Sequence, residues 1–232
     1  MTADASGALT GAVNGVGDAR IADLLLVPAT EPDGGPALYA VELPSAGAEL
    51  TPVVSLDSTR PLTDLVLSAV PGRRLAAGAP AAAALGAALR TGAALLASEQ
   101  LGTADWALAT TVAYVKERHQ FGRAIGSFQA VKHRLADLWV SVAQLRAVAL
   151  AAADSLATGS SEAGLNAALA QAFASPVAVT AAEEAVQLHG GIGFTWEHPA
   201  HLYLKRAKSA SIALGTADRH RAAIAGMVGL GL

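Results

Sequence analysis

The hydrophobic rhythm of the chain changes near residue 72. Upstream, short runs rich in Val and Leu alternate with turn-forming residues, the pattern of strands. Ile21–Val27 and Ala37–Leu43 predict two strands, joined by the turn Glu31-Pro32-Asp33-Gly34-Gly35-Pro36. Leu50–Leu56 and Thr63–Val70 predict two more, and Ala8–Val13 a fifth. Downstream the period becomes helical. A long helix is expected over Ala81–Arg118. Another starts near Ser127, with apolar positions Val131, Leu135, Leu138, Val142 and Leu145 at steps of four and three, a face for packing on other helices. Ser160 or Ser161 is placed to cap a third helix, which runs to His189 and stops at Gly190-Gly191, with Pro176 kinking or breaking it. Shorter helices over Ala200–Lys208 and Thr216–Val228 complete the pattern. The expected fold class is α+β, mostly α: a small antiparallel β domain over residues 1–75, then an antiparallel four-helix bundle over residues 76–232.

Composition narrows the possible chemistry. Of 232 residues, 53% are hydrophobic and only 15% charged, which rules out a disordered chain. So little surface charge predicts that part of the surface is covered by another subunit. A net charge of −3 argues against a general nucleic-acid binder. Without any Cys there is no disulfide framework, thiolate metal site or Cys nucleophile, and a cytoplasmic location is expected. Met1–Gly17 lacks the basic and apolar regions of a signal peptide. The longest uncharged stretch, Ala163–Ala182, is mostly Ala with Asn166, Gln171 and Pro176, so no membrane-spanning helix is expected. Trp106, Trp139 and Trp196 read as packing residues.

Candidate chemistry concentrates in Arg118-His119-Gln120-Phe121-Gly122-Arg123-Ala124-Ile125-Gly126-Ser127-Phe128-Gln129, followed by Lys132-His133-Arg134-Leu135-Ala136-Asp137. This is a helix end, a tight Gly-containing turn and a helix start, surrounded by basic groups. Such a setting suits a phosphate or pyrophosphate. The same residues would equally serve an ordinary helix–helix connection with solvated charges. A second block, Gln187-Leu188-His189-Gly190-Gly191-Ile192-Gly193-Phe194, leads into Trp196-Glu197-His198 and Tyr203-Leu204-Lys205-Arg206-Ala207. His198 and His201 stand at metal-ligand spacing, but Pro199 lies between them and no third ligand is evident.

Both blocks, in this order and separation, resemble the acyl-CoA dehydrogenase family. R-x-x-F-G-x-x-I-x-x-F-Q followed by H-x-L-A-D matches one family pattern, and Q-x-x-G-G matches another. Leu9-Thr10-Gly11-Ala12-Val13 and Ala22-Asp23-Leu24 look like part of the family's middle β domain. The resemblance implies FAD as cofactor. Arg118 and Gln129 are implied to reach the ADP part of a neighbouring subunit's flavin, with Phe121 in the same motif. Gln187, Leu188, Gly190 and Gly191 are implied to line that site, and Thr216 to stand near FAD.

The reaction of the family needs a carboxylate to take the α-proton of an acyl-CoA while hydride leaves its β-carbon for the flavin. Most members carry that Glu in a turn whose counterpart here is Ala213-Leu214-Gly215-Thr216, which puts Leu214 at the Glu position. Other members carry it on the long helix, where Gly92 stands. Neither residue can accept a proton. Glu99 is a weak substitute, and Glu197 and Asp218 are expected to cap helices or pair with basic neighbours. The family's N-terminal helical domain and T-E-P-x-x-G-S segment find no match, Glu31-Pro32-Asp33-Gly34-Gly35 reading as a turn. The resemblance is therefore to the small subunit of heteromeric members. It implies a larger homologue as partner, an acyl-CoA substrate with a bulky group such as a steroid side chain, and an electron-transfer flavoprotein as electron acceptor. A self-sufficient dehydrogenase with an unrecognised base, and a flavin-free scaffold or regulatory subunit, remain alternatives.

Overall fold

The structure is a computed structural model that describes residues 1–230. The chain divides into two compact units, Met1–Ala88 and the residues from Leu89 onward. The first is built on seven strands: β1 (Thr2–Ala3), β2 (Ala8–Gly17), β3 (Leu24–Thr30), β4 (Pro36–Glu42), β5 (Ala48–Val53), β6 (Leu62–Pro71) and β7 (Arg73–Ala77). Their order in the sheet is β5-β6-β2-β1-β3-β4-β7. The sheet is mixed, not wholly antiparallel as expected: β1 pairs antiparallel with β2 but parallel with β3, through Thr2 and Thr30. A two-residue strand has no period to read, so this pairing left no sequence signal.

Alternation is clearest in β3, where Leu25, Val27 and Ala29 point inward while Leu24 and Leu26 stay exposed. They join Leu9, Tyr39, Val41, Leu65, Leu67 and Val70 in one core. The β3–β4 hairpin closes through the Glu31–Gly35 turn, in which the Glu31 N–H donates to the Gly35 carbonyl at 2.9 Å and the Gly35 N–H to Asp33 Oδ1 at 2.8 Å. Strand β3 starts three residues later than expected, because Ala19–Ile21 forms a 3₁₀ turn after Asp18.

Five helices follow: α1 (Ala79–Glu117), α2 (Gln129–Ala157), α3 (Ala163–His189), α4 (Ala200–Ala210) and α5 (Ala217–Met227). A 27-residue α3 runs through Pro176 as one helix, which corrects the break expected there as the alternative to a kink. Neither Ser160 nor Ser161 caps it: Glu162 holds the N-cap position with no side-chain bond. The core of the second unit is built largely from alanines of α1, α2 and α3, among them Ala97, Ala104, Ala107, Ala152, Ala170, Ala174, Ala181 and Ala185. Such small side chains let helices approach to about 8 Å, the low end of interaxial distances. Within this core the Gln100 amide donates to Gln171 Oε1 at 2.9 Å, and the Gln171 amide points to the carbonyls of Ala210 and Ala213 at 3.5 and 3.4 Å. One buried amide pair thus ties α1 and α3 to the turn before α5.

Contrary to the sequence expectation, three segments are long and apolar enough to cross a membrane by length and composition: Ala79–Glu117, Gln129–Ala157 and Ala163–Phe194, with mean hydropathy of 1.4, 1.4 and 1.3. Alanine produces this apolarity. In the third segment, 61% of the most apolar stretch is buried inside the protein, where close helix packing uses it.

Candidate functional site

The connection from α1 to α2 is a two-stranded hairpin, β8 (His119–Gln120) with β9 (Arg123–Ala124), in which His119 pairs with Ala124 and Gln120 with Arg123. Its two turn residues, Phe121 and Gly122, are both left-handed, with φ of 54° and 77°. A tight hairpin turn of this hand requires positive φ twice, which suits Gly122 and strains a bulky residue. Phe121 nevertheless occupies it and is 91% exposed, its ring edge-on to Phe128 at 6.2 Å. The Arg123 guanidinium lies 3.9 Å over the Phe128 ring. The backbone of Arg118 is pinned on both sides: its N–H donates to the Tyr114 carbonyl at 2.9 Å and its carbonyl accepts from Ile125 at 2.8 Å. Its side chain has no ion-pair partner among the described residues.

Helix α3 ends against this hairpin. Gly190 is its C-cap, with φ of 63°, and the chain continues as a 3₁₀ turn over Gly190–Phe194. Gly193 packs so closely that a Cβ there would lie 2.6 Å from the Val186 carbonyl oxygen, whereas a Cβ at Gly190 or Gly191 would meet nothing within 4 Å. The two segments line an open cavity of about 680 Å³, bordered among others by Tyr114, Arg118, Gln187, Leu188, Gly190 and Gly191. Five residues singled out from the sequence therefore meet in one place. Phe121, Gln129 and Thr216 do not line it. Gln129 is the exposed first residue of α2, and the Thr216 hydroxyl caps α5 by accepting from the Arg219 N–H at 3.4 Å.

Among the described residues no carboxylate lines this cavity; its lining carries the Arg118 guanidinium, the amides of Gln120 and Gln187, and open glycine backbone. That donor set fits a phosphate-bearing or otherwise anionic ligand. The ADP part of a flavin meets this requirement.

Sequence reasoning missed Tyr114 and His189 as shapers of the cavity. His189 is buried, its Nδ1 donating to the Ala185 carbonyl at 2.6 Å. Its ring stacks on Tyr114 at 4.4 Å and packs against His198 at 4.2 Å. Trp106 stacks on Tyr203 at 3.5 Å beside them. This aromatic pile backs the Gly190–Phe194 turn. His198 lies just before α4, its Nδ1 accepting from the Ala200 N–H at 3.3 Å, and its pKa is lowered, first by burial and then by His189 and His201. His201 turns instead to Trp196, at 4.4 Å. A signal for the pile was present in the spacing: Tyr114 lies one helical turn before Arg118, and His189 sits inside the Gln187–Gly191 motif. Of the three tryptophans, Trp106 packs as expected, but Trp139 and Trp196 are exposed.

The two positions at which a base was sought turn out to be one place. A Cβ added to Gly92 would stand 2.9 Å from Cδ1 of Leu214, so the Leu214 side chain covers Gly92 directly. Leu214 is left-handed, with φ of 57°, and its turn is held by Gln171 and by His220, whose Nε2 donates to the Leu214 carbonyl at 3.2 Å. Glu99, the weak candidate, is engaged by Arg206 in two bonds of 2.7 and 2.9 Å. Asp218 pairs with Arg221 at 2.7 Å.

Residues 81–228 match the family model for the acyl-CoA dehydrogenase C-terminal domain. The chain belongs to the acyl-CoA dehydrogenase family. Over 164 residues it is 49% identical to acyl-CoA dehydrogenase IpdE2 of Mycolicibacterium smegmatis, covering 71% of this chain and 48% of that one. Over 218 residues it is 36% identical to acyl-CoA dehydrogenase FadE27 of Mycobacterium tuberculosis, covering 90% of this chain and 57% of the relative. The chain thus spans about half the length of these curated relatives. Among solved structures it resembles the Tcur3481-Tcur3483 steroid acyl-CoA dehydrogenase G363A variant (TM-score 0.88, 33% identity, 98% of this chain and 62% of that one). It is equally similar to the ChsE4-ChsE5 complex of Mycobacterium tuberculosis (TM-score 0.88, 31% identity, the same coverage). PigA, solved with FAD and proline, matches 99% of this chain and 63% of its own at 27% identity and a TM-score of 0.91.

Proposed function

We propose that this chain is the supporting subunit of a heteromeric FAD-dependent acyl-CoA dehydrogenase, which oxidises an acyl-CoA to its 2-enoyl-CoA. The observation that carries the reading is Leu214 lying on Gly92, with no carboxylate from either position. The α-proton therefore goes to a base on a larger homologous subunit. Arg118, Gln187, Leu188, Gly190 and Gly191, which share the cavity, are assigned to the ADP half of the flavin; outside the cavity, Gln129 is assigned to the ADP half from across the subunit interface, and Phe121 and Thr216 to the surroundings of FAD. Arg118 offers a charge-assisted fork to the pyrophosphate. Gly190 and Gly191 leave the backbone open to close approach, and Gln187 supplies an amide beside them. When bound, FAD supplies the ring that accepts hydride from the acyl β-carbon. The proposed substrate class is a bulky acyl group such as a steroid side-chain CoA ester, supported by the resemblance to a steroid acyl-CoA dehydrogenase and to a two-component complex. Electrons would leave through an electron-transfer flavoprotein.

The test is to purify the chain alone and together with a longer homologue, then measure visible flavin absorbance and turnover with an artificial electron acceptor. Flavin and turnover are expected only in the complex. General-base transfer is worth about 10²–10⁴-fold, so the chain alone should stay near background. Robust turnover by the chain alone would overturn the reading in favour of a self-sufficient enzyme. A complex without flavin would favour a scaffold.

A further inference from the structure

The segment that joins α3 to α4 has its two ends held together by a pair of histidine rings. His189 is the last residue of α3, and His198 stands two residues before Ala200, where α4 starts; the Gly190–Phe194 turn lies between them. The two rings are 4.2 Å apart, centre to centre, at 37°. Their contact closes a loop around the turn, and Gly190, Gly191 and Ile192 of that turn border the cavity. Inside the loop the Thr195 N–H and hydroxyl both donate to the Ile192 carbonyl, at 3.1 and 2.8 Å.

Hydrogen bonding fixes where each ring carries its proton. His189 Nδ1 donates to the Ala185 carbonyl at 2.6 Å, whereas His198 Nδ1 accepts from the Ala200 N–H at 3.3 Å. Neutral His198 therefore carries its proton on Nε2, and a second proton must go to Nδ1. There it sets one N–H against another at the start of α4, which ends that bond, and it places an imidazolium against the His189 ring. The groups around His198 offer no compensation. Burial opposes the charge first, followed by His189 from α3 and His201 from α4. From α1, the Trp106 ring is tilted and 6.2 Å away, just outside the roughly 6 Å reach of a cation–π contact. Tyr114 and Tyr203 stand one ring further out, on His189 and on Trp106. Glu197, next in the chain, is exposed and does not act on His198, and Lys205 of α4 is turned over Trp196 at 4.6 Å.

We propose that the His189–His198 pair is a proton-operated latch on the Gly190–Phe194 turn, which holds the turn closed while His198 is neutral and lets it open when His198 takes a proton. Acid thus loosens one wall of the cavity from within the chain. The inference does not depend on the flavin reading, since it concerns the turn and not what fills the cavity. Because the folded ring resists its proton and the opened one does not, opening sets in as pH falls below about 6.5, the ordinary histidine value.

Hydrogen exchange of the full chain, followed by mass spectrometry at about pH 7.5 and about pH 5 and corrected for the intrinsic pH dependence of exchange, tests this. Protection of residues 190–200 should fall about three- to tenfold at the lower pH, the loss of one hydrogen bond. That exchange should be insensitive to dilute urea, the mark of a local opening. Its midpoint should match the titration of the His198 ring followed by NMR. His198→Asn keeps an acceptor for the Ala200 N–H and takes no proton, so its turn should stay protected at both pH values. His201→Asn removes one of the two side chains that oppose the proton, so the response should persist with its midpoint moved to higher pH. Unchanged protection in the unsubstituted chain overturns the proposal, and so does an equal loss in His198→Asn. A midpoint away from the His198 titration, or a response abolished by His201→Asn, would place the trigger elsewhere and overturn it as well. Exchange that rises with urea as steeply as that of α1 would mean general unfolding, which also overturns it.

Discussion

Replacing Arg118 by Ala separates a cofactor role from a structural one. The guanidinium lines the cavity but makes no ion pair among the described residues, so little folding energy depends on it. A cation just beyond a helix C-terminus stabilises the helix by about 0.3–1 kcal/mol through the macrodipole. A charge-assisted bond to a flavin pyrophosphate is worth about 1.5–3 kcal/mol. At about 1.4 kcal/mol per decade, Arg118→Ala should reduce FAD retention by the assembled complex roughly ten- to a hundredfold. The melting temperature of the flavin-free chain should fall by no more than about 2–4 °C. Arg118→Lys should recover only part of the retention, because an ammonium lacks the planar fork. The assay measures flavin content and melting temperature on the same preparations. If flavin stays bound while the melting point drops, Arg118 is a helix-end residue and the assignment of the cavity to the cofactor is wrong.

Other consequences follow from buried contacts. Gln171→Leu strands the Gln100 amide and loosens the Ala213 turn; urea unfolding should show a loss of roughly 2–5 kcal/mol, most of it regained in the Gln100→Leu/Gln171→Leu double variant. Additive losses would refute the pairing. Gly193→Ala drives a Cβ toward the Val186 carbonyl and should cost about 1–3 kcal/mol, while Gly191→Ala, in open space, should leave unfolding unchanged and lower only flavin retention. The His198 pKa is lowered in the fold, so the native state binds fewer protons than the unfolded chain just below the ordinary value. Stability is then complete above about pH 6.5 and is lost as pH falls toward the folded pKa. His198→Asn, which keeps an acceptor for the Ala200 N–H, should flatten part of that decline in melting temperature, the lowered His220 retaining the rest.

What the sequence determined by itself was local. Helical period and turn chemistry placed α1 to α5 within a few residues, because a stripe at steps of three and four and a glycine at Gly190 act over a single turn of chain. The two motif blocks carried enough residues to indicate the family. Tertiary structure decided everything that joins distant segments. Leu24 to Val27 read as one apolar strand, but neither which alternate residues face inward nor the parallel insertion of β1 could be read, since a continuous apolar run and a two-residue strand carry no pattern. Arg118 and Gln187 share a cavity only because α3 ends beside the hairpin after α1. Gly92 and Leu214 were two separate absences in the sequence and are one contact in the fold, closed by packing between segments that share no local signal. An apolar side chain reads the same along the chain whether a core or nothing covers it. The buried Leu138 and the exposed Trp139 are adjacent in sequence, and the packing of α2 on its neighbours alone separates them.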